Sequence, residues 1–188
     1  MDHVVVDVEI QKTIGPPDNL TWDDTDKLGV ACAVLYDFGT DRYHIYGPQD
    51  VEALKERLLK ADRVSGFNTW KFDFPVIWAL HGRERVKAME GKSNDILRRI
   101  WIAAGANPDG WGPLNKGWSL NNVVAGTLRK DVTKSGNGAD APKWFQAGKI
   151  SRLHTYCLDD VRLERDLVAF VDKHSYVVNG ETGKWLRL

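Results

Sequence analysis

Residues 1–10, MDHVVVDVEI, decide the fold class of this chain and point to its chemistry. Residues 3–8 are apolar and rich in β-branched valine, which predicts a buried strand. Side chains two positions apart in a strand point to the same face, so Asp7 and Glu9 project together from the end of this strand. Two acids that leave a core strand on one side are poorly placed unless a cation joins them. Taken alone, the pair also fits a strand that ends in solvated acids; gathered with other carboxylates, it would suit Mg²⁺ or Mn²⁺, hard divalent cations that prefer oxygen ligands.

The rest of the chain predicts one α/β domain. Further strands are predicted at residues 28–36, 42–46 and 63–66, and helices at residues 49–60, 73–80, 94–104, 119–127 and 152–173. This order predicts a mixed central β-sheet flanked by helices. Residues 1–188 are the size of a single domain, with a C-terminal hairpin expected at residues 175–188 around Asn179-Gly180. Two glycine-rich stretches, residues 105–118 and 130–143, are predicted to be loops beside a site.

Two further segments carry acids that are candidates for the same site as Asp7 and Glu9. Residues 66–73, GFNTWKFD, leave a short strand and enter a helix at Asp73. Taken alone, Asp73 has the ordinary interpretation of a helix N-cap and Asn68 that of a turn residue. On the long C-terminal helix, Tyr156 and Asp160 are four positions apart and share one face. Taken alone, that face belongs to an amphipathic helix with acids at its surface.

Charge and tryptophan content favour a nucleic-acid partner. The formal net charge is zero, which argues against binding of polyanions by bulk charge. Residues 82–153, however, hold 13 Lys and Arg against 6 Asp and Glu, which fits either a basic wall beside the acidic pocket or an ordinary solvated face of Arg and Lys. The first arrangement suits a phosphate chain. Most of the eight tryptophans are expected to pack, and one or two to form stacking platforms for bases.

The cysteines and the N-terminus predict a cytoplasmic protein. Cys32 and Cys157 have no CxxC spacing and lie in apolar or helical surroundings, which favours two buried free thiols. No basic segment followed by an apolar stretch opens the chain, and no apolar run reaches membrane-spanning length. We therefore expect no membrane partner.

Together, the three acidic segments resemble the motifs of the DEDD superfamily of 3′–5′ exonucleases, in the expected order. The third motif is similar to the tyrosine branch of that superfamily, which includes the proofreading domains of DNA polymerases. The matching residues are Asp7-x-Glu9, Asn68-x-x-x-Phe72-Asp73 and Tyr156-x-x-x-Asp160-Val161. One departure is Ile10, since many relatives have a small or hydroxylated residue after the glutamate.

A second register for the third motif is open at the level of sequence. His154 and Asp159 have the spacing of the histidine branch of the same superfamily. The two registers are mutually exclusive as sources of the fourth metal ligand. We prefer Tyr156 and Asp160, because Asp160 is followed by an apolar stripe that keeps the helix in register with Tyr156.

The resemblance implies an RNase H-like fold and a metal-dependent 3′–5′ exonuclease that releases nucleoside monophosphates from single strands. It implies two divalent metal ions, Mg²⁺ or Mn²⁺, and a tyrosine that orients the attacking water. The implied metal ligands, which are also catalytic, are Asp7, Glu9, Asp73 and Asp160, with Tyr156 as the fifth catalytic residue. The expected substrate contacts are Asn68, Phe72 and Lys134, with Lys71, Lys130 and Lys143 as further candidates for phosphate contacts.

Several functional alternatives stay open. A nucleic-acid-binding module without catalysis and an endonuclease on the same fold are both compatible with the sequence. DNA is favoured as the substrate, although the motifs do not encode the contacts to a 2′-OH that separate DNA from RNA. A proofreading role needs a separate partner, such as a polymerase, a helicase or a repair protein. The sequence leaves the oligomeric state open.

Overall fold

The computed structural model of the chain describes residues 1–82, 84–129 and 137–188. The strands are β1 (His3–Ile10), β2 (Val30–Asp37), β3 (Arg42–Tyr46), β4 (Arg63–Gly66), β5 (Ser93–Asp95), β6 (Tyr176–Val178) and β7 (Trp185–Arg187). The helices are α1 (Thr25–Leu28), α2 (Val51–Lys60), α3 (Asp73–Trp78), α4 (Ile96–Ala103), α5 (Leu120–Leu128), α6 (Ala141–Gln146) and α7 (Ile150–His174).

The central sheet is mixed, with the strand order β3-β2-β1-β4-β5. Strand β1 runs antiparallel to β2 along its whole length and parallel to β4. The pairing with β4 involves His3–Val5 of β1, so among the described residues the later part of β1 has no strand beside it on that edge. The predicted α/β class, a mixed sheet flanked by helices, is therefore confirmed, and the arrangement is compatible with an RNase H-like fold.

Strand β1 separates two hydrophobic cores. Its even-numbered residues, Val4, Val6 and Val8, pack with α2 and α3 on one face of the sheet. Val5 packs on the other face with residues of α7, α5 and α4. Because side chains alternate along a strand, Asp7 and Glu9 continue the face of Val5 and lie on the side of the sheet that α7 covers. Burial of the valines on both faces thus fixes where the two acids point.

The structure moves several predicted boundaries. Strand β1 continues past Val8 to Ile10, so Asp7 and Glu9 lie within the strand, and a register shift follows at Glu9 and Ile10. Asn94, predicted to begin a helix, lies in the short strand β5, and α4 begins two residues later. Helix α6 occupies part of the stretch that was predicted to be a loop at residues 130–143.

Outside the main sheet, β6 and β7 pair antiparallel and form a C-terminal hairpin. The hairpin lies against α5, where Gly126 approaches the backbone of Val178 so closely that a Cβ atom would lie 2.4 Å from its carbonyl oxygen. Across residues 1–82, 84–129 and 137–188, no helix combines the length and apolar character needed to cross a bilayer.

Candidate active site

The two acids of β1 meet a cysteine of α7. Cys157 Sγ lies 3.5 Å from both the backbone carbonyl oxygen and the carboxylate Oδ2 of Asp7. One ligand atom from each of Asp7, Glu9 and Cys157 lies within 4.8 Å of the others. Burial, the neighbouring Cys32 thiol and the charge of Asp7 raise the pKa of Cys157 well above its usual range. Cys157 therefore stays a thiol that donates to Asp7, and both cysteines are buried and free, as predicted.

Asp73 reaches the same strand from the start of α3. It is buried, and its Oδ1 accepts a hydrogen bond of 3.0 Å from the backbone N–H of Val8. The N-cap of α3 is Phe72, so the Asp73 side chain pairs with β1 in addition to beginning its own helix. Burial is the main cause that raises the pKa of Asp73 to about 7, with a further contribution from the charge of Asp95. The bond to Val8 places the second acidic motif between Asp7 and Glu9 of the first.

Tyr156 and Asp160 bring the third motif to this place. The buried Tyr156 ring packs edge-on against Trp144, with 5.5 Å between the ring centroids, and its hydroxyl donates to the Asp160 carboxylate. Burial raises the pKa of Tyr156 above its usual range, and the charges of Asp160 and Glu9 raise it further. At neutral pH the hydroxyl is therefore a hydrogen-bond donor and cannot serve as a base.

The alternative register of the third motif points elsewhere. His154 lines a separate cavity with Ile45 and Phe145. Asp159 forms an ion pair of 3.0 Å with Arg162 on its own helix. Helical spacing of i and i+4 instead directs Tyr156 and Asp160 together toward β1.

The carboxylates form one electrostatic unit. Burial is the first cause that raises the pKa of Asp7, and the next causes are the negative charges of other acids. These acids are Glu164, Asp73, Glu9 and Asp160. A site built of clustered carboxylate oxygens with unbalanced negative charge fits a hard divalent cation, and the donors match those that Mg²⁺ and Mn²⁺ prefer.

Glu164 is a member of this unit that the sequence reasoning missed. Its side chain is buried, and Oε2 has no hydrogen-bond partner among the described residues. The backbone N–H of Phe67 donates to the carboxylate, whose pKa is raised by burial first and then by the charges of Asp73 and Asp160. Gly66 lies beside it: a Cβ there would be in ordinary van der Waals contact with Glu164 Oε2, at 3.5 Å, but would clash with Thr69 Cγ2, at 2.3 Å, and with the carbonyl oxygen of Val6, at 2.7 Å. Glu164 follows Asp160 by four residues, and this helical spacing is the sequence signal that places both acids on one face of α7.

Asp95, at the end of β5, is a second residue that was missed. Its carboxylate accepts hydrogen bonds from the backbone N–H groups of Asn68, at 2.9 Å, and Trp70, at 3.0 Å. It also caps α4 by accepting from the N–H of Arg98 at 3.1 Å. Asn68 has a left-handed backbone, with φ of 74°, which Asn tolerates better than most residues. Asp95 therefore holds the turn that carries Asn68 and leads to Asp73.

Some of the predicted substrate contacts line one cavity, and others lie outside the described residues. Asn68 and Phe72 line a cavity of 650 Å³ that also contains Glu9 and Lys143 in its wall, which we term the Glu9 cavity. Ile10 lines the same cavity. Lys130 and Lys134 lie outside the described residues. The structure thus brings Asn68, Phe72 and Lys143 into one cavity with Glu9.

Comparisons with known proteins give a structural neighbour. No family model and no curated protein sequence matches the chain. Among solved structures, the chain is similar to the family B DNA polymerase from the hyperthermophilic archaeon Pyrobaculum calidifontis, with a TM-score of 0.60 and 15% sequence identity. The match covers 91% of this chain and 24% of the polymerase, so the chain spans about a quarter of that protein's length. At this identity the likeness establishes the fold alone.

Proposed function

We propose that this chain is a metal-dependent 3′–5′ exonuclease that releases nucleoside monophosphates from the 3′ end of single-stranded nucleic acid, with DNA favoured. The observation that carries the proposal is the meeting of carboxylates from three distant segments at β1. Asp7 and Glu9 lie on β1, and Asp73 accepts a hydrogen bond from the backbone N–H of Val8. The charge of Asp160 contributes to raising the pKa of Asp7. The cluster has the composition that a phosphodiester-cleaving metal site requires.

Asp7, Glu9 and Asp160 are the residues that would hold divalent cations directly, and Asp73 would act through the waters that Mg²⁺ retains. When bound, Mg²⁺ or Mn²⁺ supplies Lewis-acid polarisation of the phosphate and lowers the pKa of a bound water. The carboxylates balance the cation charge, and Cys157 fixes the orientation of Asp7 by donating to it.

The remaining residues orient a water or a phosphate oxygen and enclose the terminal nucleotide. Tyr156 keeps its proton, so its role is to position a water or a phosphate oxygen by hydrogen bonding from a ring fixed against Trp144. Asp95 accepts from the N–H groups of Asn68 and Trp70, and Glu164 accepts from that of Phe67, so the two acids hold the turn. Asn68 and Phe72 then form the wall against which the terminal nucleotide rests.

The similarity to a DNA polymerase supports nucleic acid as the substrate class. We propose that residues 1–188 act as one exonuclease domain, in concert with a polymerase, a helicase or a repair protein where it proofreads. A catalytically inactive binding module and an endonuclease are the alternatives that the experiment must separate.

The test is digestion of 5′-labelled single-stranded DNA and RNA side by side with Mn²⁺. The proposal expects a ladder that shortens from the 3′ end together with mononucleotide product, and no cut in a circular single strand. Cleavage of the circle would instead establish an endonuclease. Tight binding of the oligonucleotide with no product would establish a binding module.

A further inference from the structure

A second cavity, of 590 Å³, adjoins the Glu9 cavity. Trp22, Asn68 and Phe72 line both. Its far wall contains Trp111 and Lys71, and we term it the Trp111 cavity. Its volume is within the range of about 300–1,000 Å³ that is usual for ligand pockets. A strand whose 3′ end lies at Glu9 can therefore pass over Phe72 and Trp22 into this second space.

The Trp111 cavity exposes two indole rings. Trp111 is 72% exposed and Trp22 is 66% exposed, more than any other large apolar side chain of the described residues except Met1. Tryptophan is usually well buried, so two highly exposed indoles that line one cavity indicate a ligand that covers them. An aromatic face is a platform for a base of any sequence.

Contacts within the chain orient the Trp111 ring. Its edge packs against Trp101 with 5.5 Å between centroids, and the Lys71 ammonium lies 4.4 Å from the Trp111 centroid. Lys71 in turn donates to the backbone carbonyl oxygen of Gly110 at 3.1 Å. A platform that is already ordered loses little conformational entropy when it binds.

Charge decides between a base and a phosphate as the occupant. The charged side chains that line the Trp111 cavity in the described part of the chain are the cations Lys71 and Arg85 and the acids Asp23 and Asp109. Arg85 is paired with Asp109 at 2.7 Å. This balance gives no net attraction for a phosphate, whereas the indoles attract a planar base.

We infer that the Trp111 cavity binds a nucleobase of the single strand on the 5′ side of the 3′-terminal nucleotide. The inference rests on the proposed function for the position of the 3′ end. It makes tight binding depend on one upstream base as well as on the terminal nucleotide. A strand too short to reach Trp111 is then a poor ligand.

The test measures binding without hydrolysis, so that it does not depend on catalysis. All proteins carry Asp160→Asn, and the anisotropy of 5′-fluorescein-labelled single strands reports affinity in the presence of Mn²⁺. The strands carry one abasic site at successive positions counted from the 3′ end. The variants are Trp111→Ala, the conservative Trp111→Phe, and Trp185→Ala as a matched control, because Trp185 is 55% exposed on the C-terminal hairpin.

We expect Trp111→Ala to weaken binding roughly tenfold, the scale for loss of one base–aromatic stack, and Trp111→Phe to restore most of it. Trp185→Ala should bind like the parent. One abasic position should cost the parent a similar factor and cost Trp111→Ala nothing. Equal affinities of Trp111→Ala and Trp185→Ala, absence of a sensitive upstream position, or no measurable binding at all would overturn the inference. Failure of the proposed function is separate, because it would show as intact binding without digestion by the protein that retains Asp160.

Discussion

The Oδ1 atom of Asp73 accepts a hydrogen bond from the backbone N–H of Val8 at 3.0 Å, across 65 positions of sequence. The donor lies in the part of β1 beyond the residues that pair with β4, where the described part of the chain places no strand on that edge. The bond therefore does two things: it satisfies a buried backbone group, and it fixes the acid of α3 between Asp7 and Glu9.

This double role predicts different outcomes for two substitutions of Asp73. At pH 4, where the folded Asp73 carboxyl is protonated, Asp73→Asn keeps an oxygen acceptor for Val8, so we expect the free energy of unfolding to change little there. At neutral pH the variant lacks the charge of the carboxylate, so we expect nuclease activity to fall. Asp73→Ala leaves the Val8 N–H without a partner, so we expect a loss of about 1–3 kcal/mol of stability as well. Urea unfolding of both variants checks this. Equal destabilisation by Asn and Ala would contradict the role of the bond.

The raised pKa of Asp73 predicts a pH dependence of stability without divalent cations. Below pH 3.8 the carboxyl is protonated in both states, and between pH 3.8 and about 7 only the unfolded chain releases its proton. The unfolded state is therefore favoured increasingly as the pH rises through this window, and the trend ends above about pH 7. His3, whose pKa is lowered to about 4, changes stability in the opposite sense below pH 6.5.

The difference in Tm between the parent and Asp73→Asn reports the contribution of Asp73 together with the effect of its charge on Asp7 and Glu164. In EDTA we expect the parent to lose roughly 5 °C or more relative to the variant between pH 4 and pH 7. Addition of Mn²⁺ at pH 7 should raise the Tm of the parent, because an ion that binds only the folded state stabilises it. Parallel Tm curves for the two proteins in EDTA would be the contrary result.

Burial and the neighbouring acids disfavour the charged form of Glu164. Glu164→Gln keeps an acceptor for the N–H of Phe67 and removes a buried acid whose pKa is already raised by burial. We expect this variant to be at least as stable as the parent in EDTA. Glu164→Ala leaves Phe67 unpaired and opens a void, so we expect a loss of about 2–4 kcal/mol. A large destabilisation by Gln, measured by urea unfolding, would show that the charge itself is needed.

The Tyr156 hydroxyl is predicted to position a water or a phosphate oxygen and not to act as a base. Tyr156→Phe keeps the ring that packs on Trp144, so stability should change little, while kcat should fall roughly 10- to 100-fold from lost alignment. Because the hydroxyl keeps its proton, the pH profile of the remaining activity should retain the shape of the parent's. Tyr176→Phe, on the C-terminal hairpin, is the matched control. A change in the profile would indicate that Tyr156 titrates during turnover.

Sequence alone predicts those parts of the site that follow from local periodicity. Alternation in β1 predicts that Asp7 and Glu9 share a face, and the helical repeat predicts that Tyr156 and Asp160 do. Strand β5 was not predictable in this way, because its residues, Ser93–Asp95, are polar and extend only through pairing with β4.

Tertiary contacts also hide the roles of the residues that were missed. Asp95 bonds to a turn 25 to 27 positions away, and no local pattern announces it. Glu164 resembles an ordinary acid of an amphipathic helix until the packing of α7 against β1 and β4 buries it. Helix α6 lies in a stretch whose glycine content and basic charge are typical of a loop.

Two adjacent acids of α7 provide the most direct test that Asp160 belongs to a catalytic metal site. Mononucleotide release from a single strand labelled at its 3′-terminal nucleotide is followed with Mn²⁺ for Asp160→Asn and for Asp159→Asn. The charge of Asp160 raises the pKa of Asp7, and its carboxylate accepts a hydrogen bond from the Tyr156 hydroxyl. Asp159 instead forms an ion pair with Arg162 on its own helix. We expect a loss of at least roughly a hundredfold for Asp160→Asn and parental activity for Asp159→Asn. Parental release by Asp160→Asn would contradict the assignment of Asp160 to a catalytic metal site.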